Sequence, residues 1–96
     1  MRPIQLADIE MAARVLMNAA PTARYDLMQE IIKEATAADH FRQTHGMQHP
    51  RFGAGSLMSA AARHKAAPRP HALDRDALSA YAVAIALLAD ASHQSA

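Results

Sequence analysis

Asp39, His40, His45 and His49 bring three imidazoles and a carboxylate into one short stretch of chain, and these are the ligand types of a zinc site. Their spacing argues against one. His45 and His49 are four residues apart, but Gly46 and Pro50 interrupt any helix through both, so the rings lose the shared face that an i, i+4 metal site needs. No H-E-x-x-H motif occurs. His40, His45 and His49 are the residues a metal would have to use, and no metal or other cofactor is expected.

Phosphate chemistry is the next candidate. Gly53-Ala54-Gly55-Ser56 precedes an apolar run and offers free amides, a helix N-terminus and close backbone access to an anion. It is not a Walker loop, which needs four residues between its glycines and a lysine before the Ser/Thr. Nor is it a dinucleotide fingerprint, because no strand precedes it. Its plain structural role is a tight turn with Ser56 as the cap of the following helix. An anion site here would draw on Arg42, Arg51, Ser56, Arg63 and Lys65.

Covalent chemistry has less support. Ser56 and Ser59 have histidines nearby in sequence, yet no G-x-S-x-G elbow is present, and the absence of cysteine removes thiolate nucleophiles, thiolate metal sites and disulfides. No catalytic residue is assigned, and the chain is not expected to be an enzyme.

Charge is unevenly distributed. Residues 1–39 carry four Lys/Arg against six Asp/Glu, residues 40–75 six against one, and residues 76–96 none against two, within a net charge of +1. Five of the six histidines also fall in the central block, so acidification makes it more positive still. Such a segment attracts polyanions, or is neutralised within the fold by the acidic first half. A helix-turn-helix is excluded by the roughly ten residues between the second and third helices, since that motif uses about three or four.

These groups need a scaffold, and the apolar pattern predicts an all-α one. Ninety-six residues, half apolar but with only four aromatics, fit a single domain of closely packed, alanine-rich helices spanning 1–96. A first helix is predicted from Asp8, as N-cap, to Ala19, with Ile9, Ala12, Ala13 and Leu16 on its buried face. A second runs from Pro21 to Thr44 and buries Leu27, Met28, Ile31, Ile32 and Ala35, with Gly46 as its left-handed stop. A short third helix covers Leu57–Lys65 behind Ser56. After the extended AAPRPH segment, the fourth begins at Asp74 and continues to Ser92, with Leu73 and Leu78 at the positions of a hydrophobic staple.

That last helix has no charged side chain between Asp76 and Asp90. Apolar surface on all sides calls for burial on all sides, so it is placed near the centre of a four-helix bundle, or else one flank meets another chain. Tyr81, Ile85 and Leu88 are then the candidate contact residues. No export signal is visible and the longest uncharged run falls short of the roughly 20 residues of a membrane span, so a cytoplasmic protein with no membrane association is expected.

The run His49-Pro50-Arg51-Phe52-Gly53-Ala54-Gly55-Ser56-Leu57-Met58, after Ala38-Asp39-His40-Phe41-Arg42 and His45-Gly46, resembles a family of short, functionally uncharacterised helical proteins of bacterial, alphaproteobacterial type. Members share an M-R-P start, an alanine-rich first helix, an A-A-D element and an H-P-R-aromatic-G-x-G-S-L loop. Phe52 stands at the aromatic position, where tryptophan is the expected residue. The resemblance covers most of the chain and implies no activity.

Two functional readings follow. The leading one is a non-catalytic interaction or regulatory domain that binds a protein partner or itself through the fourth helix and the His45–Leu57 loop. The alternative is a module for anions or nucleic acid using the basic 40–75 segment. Within the loop, Phe52 is expected to plug an apolar gap, and Arg51 to pair with Asp39 or face solvent. His45, His49 and Arg51 have no structural duty that the sequence reveals.

Overall fold

The computed structural model describes the backbone of residues 1–95 and side chains as far as Ser92; Ala96 lies outside the described residues. Four helices follow one another: α1 (Leu6–Met17), α2 (Arg24–His45), α3 (Leu57–Ala61) and α4 (Arg75–Ser95), with a 3-10 turn at Pro21–Ala23 leading into α2. No strand occurs among the described residues, and a lone bridge pairs His49 with Gly53. The all-α expectation holds.

Helix α1 starts two residues before the predicted cap. Gln5 is the extended N-cap residue, and Asp8 sits inside the first turn, where its Oδ2 accepts the Gln5 backbone N–H at 2.6 Å. A carboxylate at the third helical position reaches back to the cap amide as well as one at the cap reaches forward. The C-terminal end comes at Met17 rather than Ala19.

The central helix is α1, not α4. From Asp8 to Met17 no residue of α1 is exposed, and α1 packs against each of the other three helices. Its charges did not forbid this, because each finds a partner. Glu10 pairs with Arg69, and Arg14 exchanges hydrogen bonds with Ala67, its Nε donating to the Ala67 carbonyl at 2.8 Å and its carbonyl accepting the Ala67 N–H at 2.9 Å. Residues 66–70 thus lie as an extended strap over α1.

That strap also explains why α3 ends at Ala61 and not at Lys65. After His64, whose Nε2 meets Glu34 on α2 at 2.9 Å, the chain turns away to reach Arg14. Helix α2 buries Met28, Ile31, Ile32, Ala35 and Ala38, and stops at Gly46 (φ 70°), whose N–H closes on the Arg42 carbonyl at 2.8 Å. Full burial of a side chain such as Leu16, Met28 or Ile31 stabilises the fold by about 1.5–3 kcal/mol each.

Helix α4 is capped as predicted, with Asp74 Oδ1 accepting the Ala77 N–H at 2.9 Å. Its inner face of Ala77, Ala80, Ala84, Leu87 and Leu88 is buried, and the small residues let it lie close to α1. The outer face is not covered. At the α4 N-terminus, Asp76 pairs with Arg24, a residue only 2% exposed that also donates from Nε to the Leu16 carbonyl at 2.7 Å. Arg24 therefore ties the end of α1 to the start of α4.

Candidate functional site

The loop between α2 and α3 is built around His49. Its backbone exchanges two hydrogen bonds with Gly53, and its Nδ1 accepts the backbone N–H groups of Arg51 (3.0 Å) and Phe52 (3.1 Å). The imidazole therefore closes the turn that Pro50 begins. Its ring stacks on Phe52 with centroids 4.7 Å apart and planes 13° apart, and meets Phe41 edge-on at 5.0 Å. Phe41 in turn lies 4.3 Å from the His45 ring. Together these rings form a short aromatic column joining the loop to the end of α2.

Two guanidiniums complete the cluster. Arg51 and Arg63 lie over the Phe52 ring, 5.6 and 5.1 Å from its centroid, within the range of a cation–π contact. Phe52 is half-buried by these neighbours and does not plug a gap in the core. Arg51 is exposed and takes no part in neutralising Asp39. His45, His49 and Arg51, which lacked a role in the sequence, thus all have packing or hydrogen-bonding work here.

The other end of the loop is closed by two of the protein's own side chains, a hydroxyl and a carboxylate. Ser56 caps α3 by accepting the Ser59 N–H at 3.1 Å, and Asp8 Oδ1 accepts the next free amide, that of Met58, at 2.9 Å. The helix N-terminus offered by Gly53-Ala54-Gly55-Ser56 is therefore filled from within. Gly55 (φ 93°) lies so close to α2 that a Cβ there would sit 2.7 Å from the Asp39 Cα, and its carbonyl accepts the Arg2 N–H at 2.9 Å.

Asp39 is 6% exposed and heavily partnered. Arg42 reaches Oδ1 at 2.7 Å, the amino group of Met1 reaches Oδ2 at 3.1 Å, and Gln43 donates to Oδ2 at 3.2 Å. Burial alone would raise its pKa, but hydrogen bonds from Arg42 and the Met1 amino group, with the attraction of both positive charges, outweigh it and hold the carboxyl below its ordinary value of 3.8.

The sequence-based candidates therefore scatter. Arg42 is engaged with Asp39, Ser56 with its own helix, and only Arg51 and Arg63 converge; Lys65 is exposed. His40 is exposed on α2, and no group of three or more His, Asp or Glu residues able to hold a metal occurs among the described residues. Two clefts of about 390 and 400 Å³ flank the N-terminal segment, and none of His40, His45, His49 or Arg51 lines either.

The outer flank of α4 is the largest departure. Leu78 (53% exposed), Ala82, Ile85 (50%), Ala86 and Ala89 face outward, with Tyr81 half-buried at the margin. Leu88, predicted as a contact residue beside Tyr81 and Ile85, is 4% exposed and belongs to the core. Angular position on the helix, about 100° per residue, explains this: Leu88 falls with Ala77, Ala80 and Ala84 on the inner face, while Leu78, Ala82, Ile85 and Ala89 define the outer one. That three- and four-residue spacing was readable in the sequence, but not which stripe was outside.

A family model described as a domain of unknown function (DUF7742) matches residues 2–88, and the chain belongs to that family. No curated protein and no solved structure matches it. No helix among the described residues is long and apolar enough to cross a membrane.

Proposed function

We propose that this member of a family of unknown function is a non-catalytic protein-interaction domain, with the outer flank of α4 as its contact surface. One observation carries the reading: a helix with no charge between Asp76 and Asp90 leaves Leu78 and Ile85 half exposed. An isolated exposed leucine is ordinary, whereas an aligned apolar stripe three turns long marks a contact surface. The module is the whole chain acting as one helical domain. A cytoplasmic setting is supported by the lack of cysteine. The 49–57 loop serves as the family's signature, and a bacterial source goes with that reading.

A photo-crosslinking residue in place of Ile85, in cells, tests it. A discrete adduct from position 85 and none from the exposed Glu30 on α2 is the expected result. No adduct from position 85 defeats the reading.

A second reading has its own observation, the convergence of Arg51 and Arg63 on Phe52. Two guanidiniums beside a half-buried ring suit phosphate contact with single-stranded nucleic acid, with base stacking confined to the part of the ring that His49 leaves open. It predicts anisotropy changes with an oligonucleotide that fall with salt and vanish in the Arg51→Ala/Arg63→Ala double variant. Binding unchanged in that variant overturns it.

A further inference from the structure

We propose that the outer flank of α4 pairs with the same flank of a second copy of this chain, antiparallel and centred between Ala82 and Ile85. This rests on the interaction reading above and names its partner.

The residue sizes on the flank are self-complementary in one direction only. Leu78, Ala82, Ile85 and Ala89 lie along one stripe of α4, as 3.6 residues per turn requires. In the antiparallel register Leu78 faces Ala89 of the second copy and Ile85 faces Ala82. Twofold symmetry repeats both contacts, so each bulky side chain enters the space over an alanine. A parallel pair sets Leu78 on Leu78 and Ile85 on Ile85, with gaps at the alanines. Ridges seated against small residues give the close approach that helix pairs need.

Charge selects the same arrangement. Arg75 and Asp90, both exposed, stand at opposite ends of the stripe. Antiparallel pairing brings Arg75 within about one turn of Asp90 on the second copy, at both ends of the contact, and sets the two helix dipoles against each other favourably. Parallel pairing sets Asp90 beside Asp90. Between these ends the stripe itself carries no charge that would select a charged partner instead, and Asp76, beside Arg75, is already paired with Arg24. Three turns of helix bury little area by the standard of stable dimers, so the pair is weak and dissociates on dilution.

The chain has no cysteine, so single substitutions place one thiol at a chosen position. Leu78→Cys and Ala89→Cys chains, mixed and mildly oxidised, are expected to form a mixed disulfide dimer about tenfold in excess over the product of Leu78→Cys alone. In the antiparallel register the two copies of position 78 lie about 16 Å apart along the axis, beyond the reach of a disulfide. Circular dichroism of each variant confirms the helical fold before oxidation. Efficient crosslinking of Leu78→Cys with itself overturns the register, and no mixed dimer together with a sedimenting monomer at high concentration overturns the pairing. If the position-85 crosslinker then captures a different protein, self-pairing has failed and the interaction reading survives; if it captures nothing, both have failed.

Discussion

Asp8 and Met58, fifty positions apart, are joined by a 2.9 Å hydrogen bond from the Met58 N–H to the Asp8 carboxylate. The other oxygen of the same carboxylate holds the Gln5 N–H at 2.6 Å. One side chain therefore closes the N-termini of α1 and α3. At the end of the glycine-rich loop, the Met58 and Ser59 amides are thus bonded to Asp8 and Ser56.

Asp8→Ala frees two amides at once. Each lost cap costs about 1 kcal/mol, so a loss of about 2 kcal/mol is expected, measured by urea denaturation. A loss below about 0.5 kcal/mol would show that solvent replaces both contacts.

Gly55 and Gly46 both have positive φ but different surroundings. At Gly46 (φ 70°) a Cβ meets nothing within 4 Å, and Gly46→Ala should cost only the left-handed backbone term of about 1–2 kcal/mol. At Gly55 the Cβ would collide with the Asp39 backbone, so Gly55→Ala should cost clearly more. Equal losses in thermal or urea denaturation would contradict the close approach of the loop to α2.

Asp39 should leave a signature in acid. Its folded-state pKa is below its ordinary value of 3.8, so between the two the unfolded chain binds more protons, and stability rises with pH there. The contribution is complete above about 3.8 and disappears as pH falls through the folded-state value. Urea denaturation of wild type and Asp39→Asn across the acid range should show a gap that narrows on acidification. A constant gap would mean that the carboxylate's ion pairs contribute nothing.

The turn at His49 depends on an acceptor. His49→Ala removes the partner of the Arg51 and Phe52 amides, whose hydrogen exchange should speed up several-fold with a stability loss of about 1 kcal/mol. His49→Asn restores an acceptor near the same place and should recover part of the protection. Identical exchange in both variants would assign the turn to the rings alone.

Ile85 and Leu88 separate surface from core. Ile85→Ala is expected to change folding stability by less than about 1 kcal/mol while weakening association, whereas Leu88→Ala should cost about 2–4 kcal/mol. Comparable stability losses at both positions would contradict the orientation of α4.

Much of this molecule was legible along the chain because its causes are local. The apolar spacing of Met28, Ile31, Ile32 and Ala35, the stop at Gly46, and the caps at Ser56 and Asp74 each depend on neighbours within a turn or two, so the helices could be placed to within a few residues. Their burial order could not. A charged helix reads as a surface helix until Glu10 is seen against Arg69 and Arg14 against Ala67, and a charge-free helix reads as central until α1 is found to hold the centre. The same holds for the loop, where the histidine spacing argues against a metal, but only the fold shows which two amides of its own turn the His49 ring nitrogen holds. Pattern along the chain sets which groups need a partner; only the folded arrangement supplies partners from fifty residues away, and that supply decided which face of α4 was left to solvent.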